Sequence, residues 1–281
     1  MLRQRALLVT PDLVPAMEMS SRIPRQIHQT YHAAQLPAAL AQNAERIRAL
    51  NPTWAYNLYD DEAIVTFIRK EYSSRVLRLF LRIDPRYGAA RADLFRYLLV
   101  YKVGGVYLDI KSGLERPLDD VIRDDDKYLL SHWPQDPSEP QSGWGRFKGF
   151  PDLAHMPRGE FQQWHVAAAA GHPFLRAVII RVLKSIASYH APKVGTGWVG
   201  VLRTTGPVAY TLAIAPLLPT YPHRFVEARR DLGFLYTTTG SDRGHRAHFR
   251  SHYSSLAVPV MTPTWLDVFA SRVARTLKKG S

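Results

Sequence analysis

The chain of 281 residues contains no cysteine. It therefore forms no disulfide bond and no thiolate metal site, which is compatible with a reducing compartment. It also lacks any apolar run close to the ~20 residues that a membrane-spanning helix needs. The apolar run at residues 6–9 is too short for a signal-peptide core, and no internal repeat is visible. We therefore expect a globular chain that is cytoplasmic or lies peripherally on the inner face of a membrane.

Acidic residues are fewer than basic ones. Lys and Arg number 37 against 24 Asp and Glu, which gives a formal net charge of +13. This excess favours an anionic partner such as nucleic acid, an anionic membrane or a phosphorylated substrate. Because the chain carries no helix-turn-helix, zinc-finger or RNA-binding signature, we expect no nucleic-acid partner, and a basic nucleic-acid-binding protein is the weakest alternative.

The order of apolar patterns and turn residues predicts alternating strands and helices. The predicted strands are residues 26–30, 56–59, 106–110 and 127–131. The predicted helices are residues 37–50, 62–71, 86–102, 173–189, 207–218 and 263–279. Residues 132–159 are rich in Pro, Gly and Trp, which predicts a long and functional loop. The alternation is typical of the α/β class.

One predicted helix and the strand after it carry a group of polar residues. Asp93 and Arg96 are three residues apart and share a helix face. In a strand that begins at Val106, side chains alternate, so Tyr107, Asp109 and Lys111 point the same way. The carboxyl end of a buried strand is where open α/β sheets bind ligands, and these side chains suit ribose, phosphate or a cation. The alternative is a simple intrahelical ion pair and an ordinary strand end.

These residues resemble a known family. Residues 92–97 read Ala-Asp-Leu-Phe-Arg-Tyr, and residues 104–111 read Gly-Gly-Val-Tyr-Leu-Asp-Ile-Lys. They are similar to the two halves of the motif of glycosyltransferase family 32, the family with a sugar-binding D-x-D region. It includes bacterial capsule and lipopolysaccharide enzymes and fungal mannosyltransferases, and it is related to the clostridial glucosylating toxins. Further similar patches are residues 23–31, 51–61, 171–174, 205–207 and 248–253.

The resemblance implies an α/β fold of GT-A type, a Rossmann-like nucleotide-sugar-binding sheet with additional helices. We expect a glycosyltransferase domain at residues 22–262, an N-terminal extension at 1–21 and a basic amphipathic helix at 263–281. The implied activity is hexosyl transfer, with retention of configuration, from a UDP- or GDP-linked sugar to a saccharide or lipid-linked acceptor. It would serve surface polysaccharide or lipopolysaccharide biosynthesis.

The family pattern also implies roles for individual residues. Asp93 and Arg96 would bind sugar hydroxyls, and Tyr107 would help to hold the diphosphate. Asp109 would contact ribose and a divalent cation, Mn²⁺ or Mg²⁺. Tyr31 would stack on the base or lie beside it.

Four further residues are candidates for substrate binding. Glu160 and Gln163 lie where the family carries residues near the reacting sugar, although Glu160 also fits a solvated loop acid. Gly105 belongs to the Gly-Gly pair of the motif. Gly206 precedes a helix whose free N–H groups suit an anion, although most such helix starts are capped by solvent.

Lys111 departs from the family pattern, in which an aspartate at this place binds the metal. A charged lysine cannot be a metal ligand. Its ammonium either neutralises the leaving diphosphate, so that Asp93, Arg96, Asp109 and Lys111 form the catalytic set, or turns outward while Asp109 and His252 hold the metal. The third alternative is a non-catalytic binder of nucleotide-sugar or phosphate.

The basic helix predicted at residues 263–279 has apolar residues on one side and Arg and Lys on the other. This pattern is typical of a helix that lies on an anionic membrane. It is equally typical of a helix packed on the domain with a solvated basic face. An anionic membrane surface is therefore an alternative partner.

Overall fold

The computed structural model describes residues 9–146, 150–238 and 256–262. The helices are α1 (Ala38–Leu50), α2 (Asp61–Glu71), α3 (Ser74–Leu81), α4 (Gly88–Val103), α5 (Leu118–Val121), α6 (Pro173–Ala187), α7 (Ala191–Val194), α8 (Gly197–Thr204), α9 (Pro207–Ile214) and α10 (Ala228–Leu232). The strands are β1 (Gln26–Thr30), β2 (Ala55–Tyr59), β3 (Gly105–Leu108), β4 (Gly113–Leu114), β5 (Tyr128–Leu130), β6 (His165–Ala168), β7 (Arg224–Phe225) and β8 (Phe234–Leu235). Short 3₁₀ turns cover Pro11–Leu13, Pro151–Leu153 and Ala215–Leu217.

Six strands form one mixed sheet in the order β2-β1-β3-β6-β5-β7. β1 is parallel to β2 and β3, whereas β6 is antiparallel to both β3 and β5. β4 and β8 form a separate antiparallel pair. The sheet confirms the predicted α/β class, a Rossmann-like sheet with additional helices.

Helices cover both faces of this sheet because successive side chains of each strand point to opposite sides. On one face, Tyr107 and Val166 pack with α2, α3, α4, α6, α8 and α9. On the other face, Val106, Leu108 and Ala167 pack with α1, α5 and α10. α4 is buried at every residue from Asp93 to Tyr101, so its polar side chains face protein and not bulk water.

A pair of glycines joins α4 to β3. Gly104 and Gly105 have φ angles of +69° and +98°, in the region that favours glycine. A Cβ atom on Gly105 would lie 2.6 Å from the carbonyl oxygen of Gln26 and 3.0 Å from Nε2 of His28. The pair therefore lets the chain reverse and lets β3 lie close against β1.

Most of the predicted elements begin and end within two residues of their predicted bounds, and β1 has the predicted bounds. α2 has the expected N-cap, since the Asp60 carboxylate accepts the N–H of Ala63 at 2.8 Å. The sequence did not predict the helices α3, α5, α7, α8 and α10 or the strands β4, β6, β7 and β8. β3 also ends earlier than predicted, at Leu108, because the N–H of Ser112 bonds to the carbonyl of Asp109 at 2.8 Å and closes a turn.

The shorter strand corrects one expectation about the site. Lys111 lies in that turn, so strand alternation does not place it beside Tyr107 and Asp109. The predicted helix at 263–279 and His252 lie outside the described residues. The predicted domain limits stay a prediction. No helix in the described ranges is both long and apolar enough to cross a membrane.

Candidate active site

Arg96 joins the two acidic residues of the motif. Its Nη2 lies 2.8 Å from Oδ1 of Asp109 and 3.3 Å from Oδ1 of Asp93. The Asp93 and Arg96 side chains are each only 4% exposed, whereas that of Asp109 is 26% exposed. The pair on α4 is therefore not an isolated helical ion pair. Arg96 also contacts the carboxylate of Asp109, which follows β3. Asp93, Arg96 and Asp109 thus form a trio, and Asp109 is the member that solvent reaches.

Gln163 and Thr205 complete the hydrogen bonds of the buried trio. The Gln163 amide donates to Oδ1 of Asp93 at 3.1 Å, and its oxygen accepts from Nη1 of Arg96 at 2.8 Å. The Thr205 hydroxyl donates to Oδ2 of Asp93 at 2.9 Å. Tyr97 bonds through its hydroxyl to both Gln163 and the carbonyl of Thr205. A buried polar network that is satisfied in this way holds its members in one geometry.

Burial and the neighbouring charges shift the pKa values of Asp93 and Arg96. Burial raises the pKa of Asp93, and its partners Arg96, Thr205 and Gln163 only partly oppose this effect. For Arg96, burial disfavours the charged form, but the negative charge of Asp109 chiefly outweighs burial and the pKa rises. Arg96 therefore stays charged, and Asp93 is easier to protonate than an exposed aspartate.

The ring of Tyr107 packs against the Arg96 guanidinium. Its ring centroid lies 4.7 Å from Cζ of Arg96, and its hydroxyl bonds to Oγ1 of Thr30 at 2.9 Å. The residue is 1% exposed, and burial raises its pKa to about 12. The Tyr107 hydroxyl is thus engaged by Thr30, and its role at a diphosphate stays a prediction.

The backbone of Asp109 is held from two strands. Its N–H donates to the carbonyl of Trp164 at 2.9 Å, just before β6. Its carbonyl accepts from the side chain of Gln29 on β1 at 3.0 Å, and Gln29 in turn accepts from the Tyr56 hydroxyl at 2.6 Å. Hydrogen bonds to Trp164 and Gln29 therefore fix the backbone from which the Asp109 carboxylate projects.

Some of the other predicted substrate-binding residues lie near Asp109, and others do not. Tyr31 follows β1, is 7% exposed and packs with Ile110, the residue after Asp109. Gly105 lies at the opposite end of β3 from Asp109 and is covered by β1, so the structure does not bring it to the trio. Gly206 already donates its N–H to the carbonyl of Val201 at 2.9 Å.

Glu160 is not the solvated loop acid that one interpretation of the sequence suggested. It is 4% exposed, and Oε1 accepts from Nε1 of Trp133 at 2.9 Å. Oε2 has no hydrogen-bond partner in the part of the chain that the structure describes. Burial raises the pKa of Glu160 to about 8. None of its described hydrogen bonds joins it to the trio.

Lys111 is buried and does not turn outward. It is 7% exposed, and its Nζ lies 3.6 Å from the ring centroid of Tyr236. The carbonyl of Lys111 accepts from the N–H of Thr238 at 2.9 Å. The segment after β8 thus anchors the lysine beside Asp109.

The described residues offer an incomplete set of metal ligands. Across residues 9–146, 150–238 and 256–262, no group of three or more His, Cys, Asp or Glu side chains is arranged around a common point. Asp109 already shares one oxygen with Arg96, and Lys111 cannot ligate while charged. Mg²⁺ is often bound by one or two carboxylates together with substrate phosphates. Asp109 therefore fits as one ligand of such an ion, with the remaining ligands from the substrate.

Sequence reasoning missed Thr205 and Tyr97, which bond to the trio and its partner Gln163. Each lies next to a residue that the motif did single out, Gly206 or Arg96. Their polarity within apolar segments was the available signal.

Residues 37–129 match the family described as "Glycosyltransferase sugar-binding region containing DXD motif". The chain is 28% identical over 190 residues to inositol phosphoceramide mannosyltransferase 3 of Schizosaccharomyces pombe, covering 67% of this chain and 44% of that protein. It is 34% identical over 116 residues to mannosyl phosphorylinositol ceramide synthase SUR1 of Saccharomyces cerevisiae, covering 41% and 28%. The matched part is thus less than half of either relative.

One solved structure similar to this chain is the PaToxG glycosyltransferase. The two share 14% identity and a TM-score of 0.46, with 77% of this chain and 76% of that chain covered. The expected resemblance is thus confirmed for residues 37–129, which are similar to the sugar-binding region of the glycosyltransferases that contain the DXD motif.

Proposed function

We propose that this chain is a retaining hexosyltransferase that moves a sugar from a nucleoside-diphosphate sugar to a saccharide or glycolipid acceptor. The observation that carries the proposal is the Arg96 guanidinium held between Asp93 and Asp109. Carboxylates bind sugar hydroxyls through charge-assisted hydrogen bonds, and a fixed guanidinium orients those carboxylates. The partly exposed Asp109 is where a donor sugar or ribose reaches the trio.

The occupied oxygens of Asp93 favour direct transfer. Gln163 and Arg96 approach Oδ1, and Thr205 bonds to Oδ2. A carboxylate engaged in this way is a poor nucleophile, so no covalent sugar–enzyme step is assigned to it. The chain would act by positioning the donor and by stabilising the charge that develops on the diphosphate.

Lys111 is the cation proposed to offset that charge. The flexible four-carbon stem of a lysine lets its ammonium move from the Tyr236 ring toward an oxyanion. With a lysine in place of the second carboxylate, a bound Mn²⁺ or Mg²⁺ would add less to the reaction than it does where both carboxylates are present.

The names of the relatives favour mannose as the transferred sugar. One is named an inositol phosphoceramide mannosyltransferase and one a synthase of mannosyl phosphorylinositol ceramide. Another is an initiation-specific alpha-1,6-mannosyltransferase of Schizosaccharomyces pombe, 26% identical over 181 residues. A GDP-linked donor is thus favoured over a UDP-linked one. A role in surface polysaccharide or lipopolysaccharide biosynthesis, at the inner face of a membrane, is part of the proposal.

A thermal-shift panel of UDP-, GDP- and dTDP-sugars, with and without Mn²⁺, tests the donor site. A donor that binds the native state raises the melting temperature by mass action. The D93N variant should lose this shift. D126N is the matched control, because Asp126 is also buried and bonds to Arg224 at 2.7 Å, away from the trio. If no donor stabilises the wild-type chain, the proposal fails.

Hydrolysis separates an enzyme from the alternative of a non-catalytic binder, which the Lys111 replacement keeps open. Release of free sugar from the donor that gives the largest shift, at a rate lowered in D93N, is the expected result. Binding with no turnover in the presence or absence of acceptor would favour the binder.

Docking on an anionic membrane is proposed for residues 263–281 from their amphipathic pattern. Sedimentation with anionic vesicles should pellet the full chain more than a chain that ends at Thr262. Equal sedimentation of the two would remove the idea.

A further inference from the structure

A cavity of about 250 Å³ lies between the segment after β5 and the segment from α10 to β8. Its lining includes Trp133, Gln135, Trp164 and Tyr236. Two of these residues also touch the candidate active site. The carbonyl of Trp164 accepts the N–H of Asp109 at 2.9 Å, and the ring of Tyr236 lies under the ammonium of Lys111 at 3.6 Å. The cavity therefore adjoins the site proposed for the donor.

Aromatic rings form a large part of its wall. The Tyr236 ring meets Trp133 and Trp164 edge to face, at centroid distances of 5.2 and 5.6 Å. Such contacts hold the rings rigidly and leave flat apolar faces. A pyranose ring has a C–H face that packs on an aromatic ring and hydroxyls around its rim that need polar partners.

Two residues of the lining each carry a buried polar atom that has no partner in the described part of the chain and that a sugar would reach after a small side-chain rotation. Nε1 of Trp164, a residue that is 5% exposed, has no hydrogen-bond acceptor among the described residues. The buried side-chain oxygen of Gln135 likewise has no donor within residues 9–146, 150–238 and 256–262. A hydroxyl both donates and accepts, so the hydroxyls of one sugar ring can satisfy both atoms.

The charges of the lining balance, although the whole chain has a net charge of +13. The charged residues of the lining are Arg158, Arg229, Arg230, Asp136, Glu139 and Glu227. Three positive and three negative side chains give no net attraction for a phosphate. Within this lining, Arg158 and Glu227 form a salt bridge at 3.0 Å. The cavity is also smaller than the roughly 300–1,000 Å³ of drug-sized ligand pockets, which suits one sugar ring.

We propose that this cavity binds a neutral sugar ring of the acceptor, beside the donor site. The proposal rests on the proposed function, since it names the acceptor class of the same enzyme. It assigns recognition to a saccharide ring and not to an anionic lipid headgroup.

Saturation-transfer NMR with methyl α-mannopyranoside tests the assignment, and myo-inositol 1-phosphate serves as the anionic probe. The wild-type chain is compared with W164F, which removes Nε1 of Trp164, and with Q135L, which removes the Gln135 oxygen together with the amide that donates to the carbonyls of Trp133 and Pro134. Q42L is the matched control because Gln42 is exposed on α1. We expect equal mannoside affinity in wild type and Q42L, and about 2- to 12-fold weaker affinity in the two cavity variants, the loss of one hydrogen bond. Inositol phosphate should bind no more tightly than the mannoside.

Three results would overturn the proposal. One is wild-type affinity for the mannoside in Q135L and in a W164F protein that melts cooperatively. Another is no binding of the mannoside to the wild type. The third is tighter binding of inositol phosphate that Q135L weakens. The donor thermal shift is measured on the same proteins. If the donor raises the melting temperature of the wild type and of all three variants, the proposed function stands even when the cavity assignment fails. If the donor does not raise the melting temperature of the wild type, the proposed function itself fails.

Discussion

Replacing Glu160 by glutamine should change how the stability of the protein depends on pH. The carboxyl group is 4% exposed, and burial raises its pKa from 4.5 to about 8. Glutamine keeps an oxygen to accept the Trp133 N–H bond and has no charge at any of these pH values. The variant therefore removes the titration and leaves the packing nearly unchanged.

The sign follows from which state binds the proton. Above pH 4.5 the unfolded chain releases it, whereas the folded protein retains it until about pH 8. Stability of the wild type relative to E160Q should therefore fall as pH rises through this window and level off above it. With 1.36 kcal/mol for each pKa unit, the full difference is roughly 4–5 kcal/mol, an upper value because a relaxed site admits water.

Urea unfolding at pH 5, 7 and 9 measures this difference. We expect E160Q to gain stability over the wild type steadily from pH 5 to pH 9. E45Q is the control, because the Glu45 side chain is 69% exposed, and its difference from the wild type should not follow this trend. A difference between E160Q and the wild type that is constant with pH would refute a buried, neutral Glu160.

Three further changes test the site and the fold. D93N should lower turnover about 10- to 100-fold, because it removes the charge-assisted hydrogen bond with which Asp93 holds the Arg96 guanidinium in place, whereas D126N, assayed below its melting temperature, should keep near wild-type turnover. Wild-type turnover should survive EDTA, and K111D should make it depend on Mn²⁺; wild-type activity that disappears in EDTA and returns with Mn²⁺ would contradict this. G105A should cost more than about 2 kcal/mol in urea unfolding, because its φ is +98° and its Cβ would meet a carbonyl oxygen at 2.6 Å. G88A is its control, since a Cβ there meets nothing within 4 Å, and a similar loss in both variants would refute the steric reason.

Local signals predicted most of the elements around the site. The Asp60 cap, the Gly104–Gly105 reversal and the short strand β1 after Pro24 depend on residues close together in the chain, and the structure has each of them. β6 was missed because its alanine-rich sequence has little strand character of its own. Its pairing with β3 and β5 supplies the hydrogen bonds that make it a strand.

The sequence indicated that Asp93, Arg96 and Asp109 lie together, because a helix face and a strand end each bring side chains together over a few residues. Their sugar-binding role came from the family resemblance and stays a prediction. Only the tertiary structure decided which atoms meet. Gln163 and Thr205 reach Asp93 from 70 and 112 residues away, and Tyr236 approaches Lys111 from the far end of the domain. Contacts of that range depend on how the sheet and its helices pack, and no local pattern encodes them.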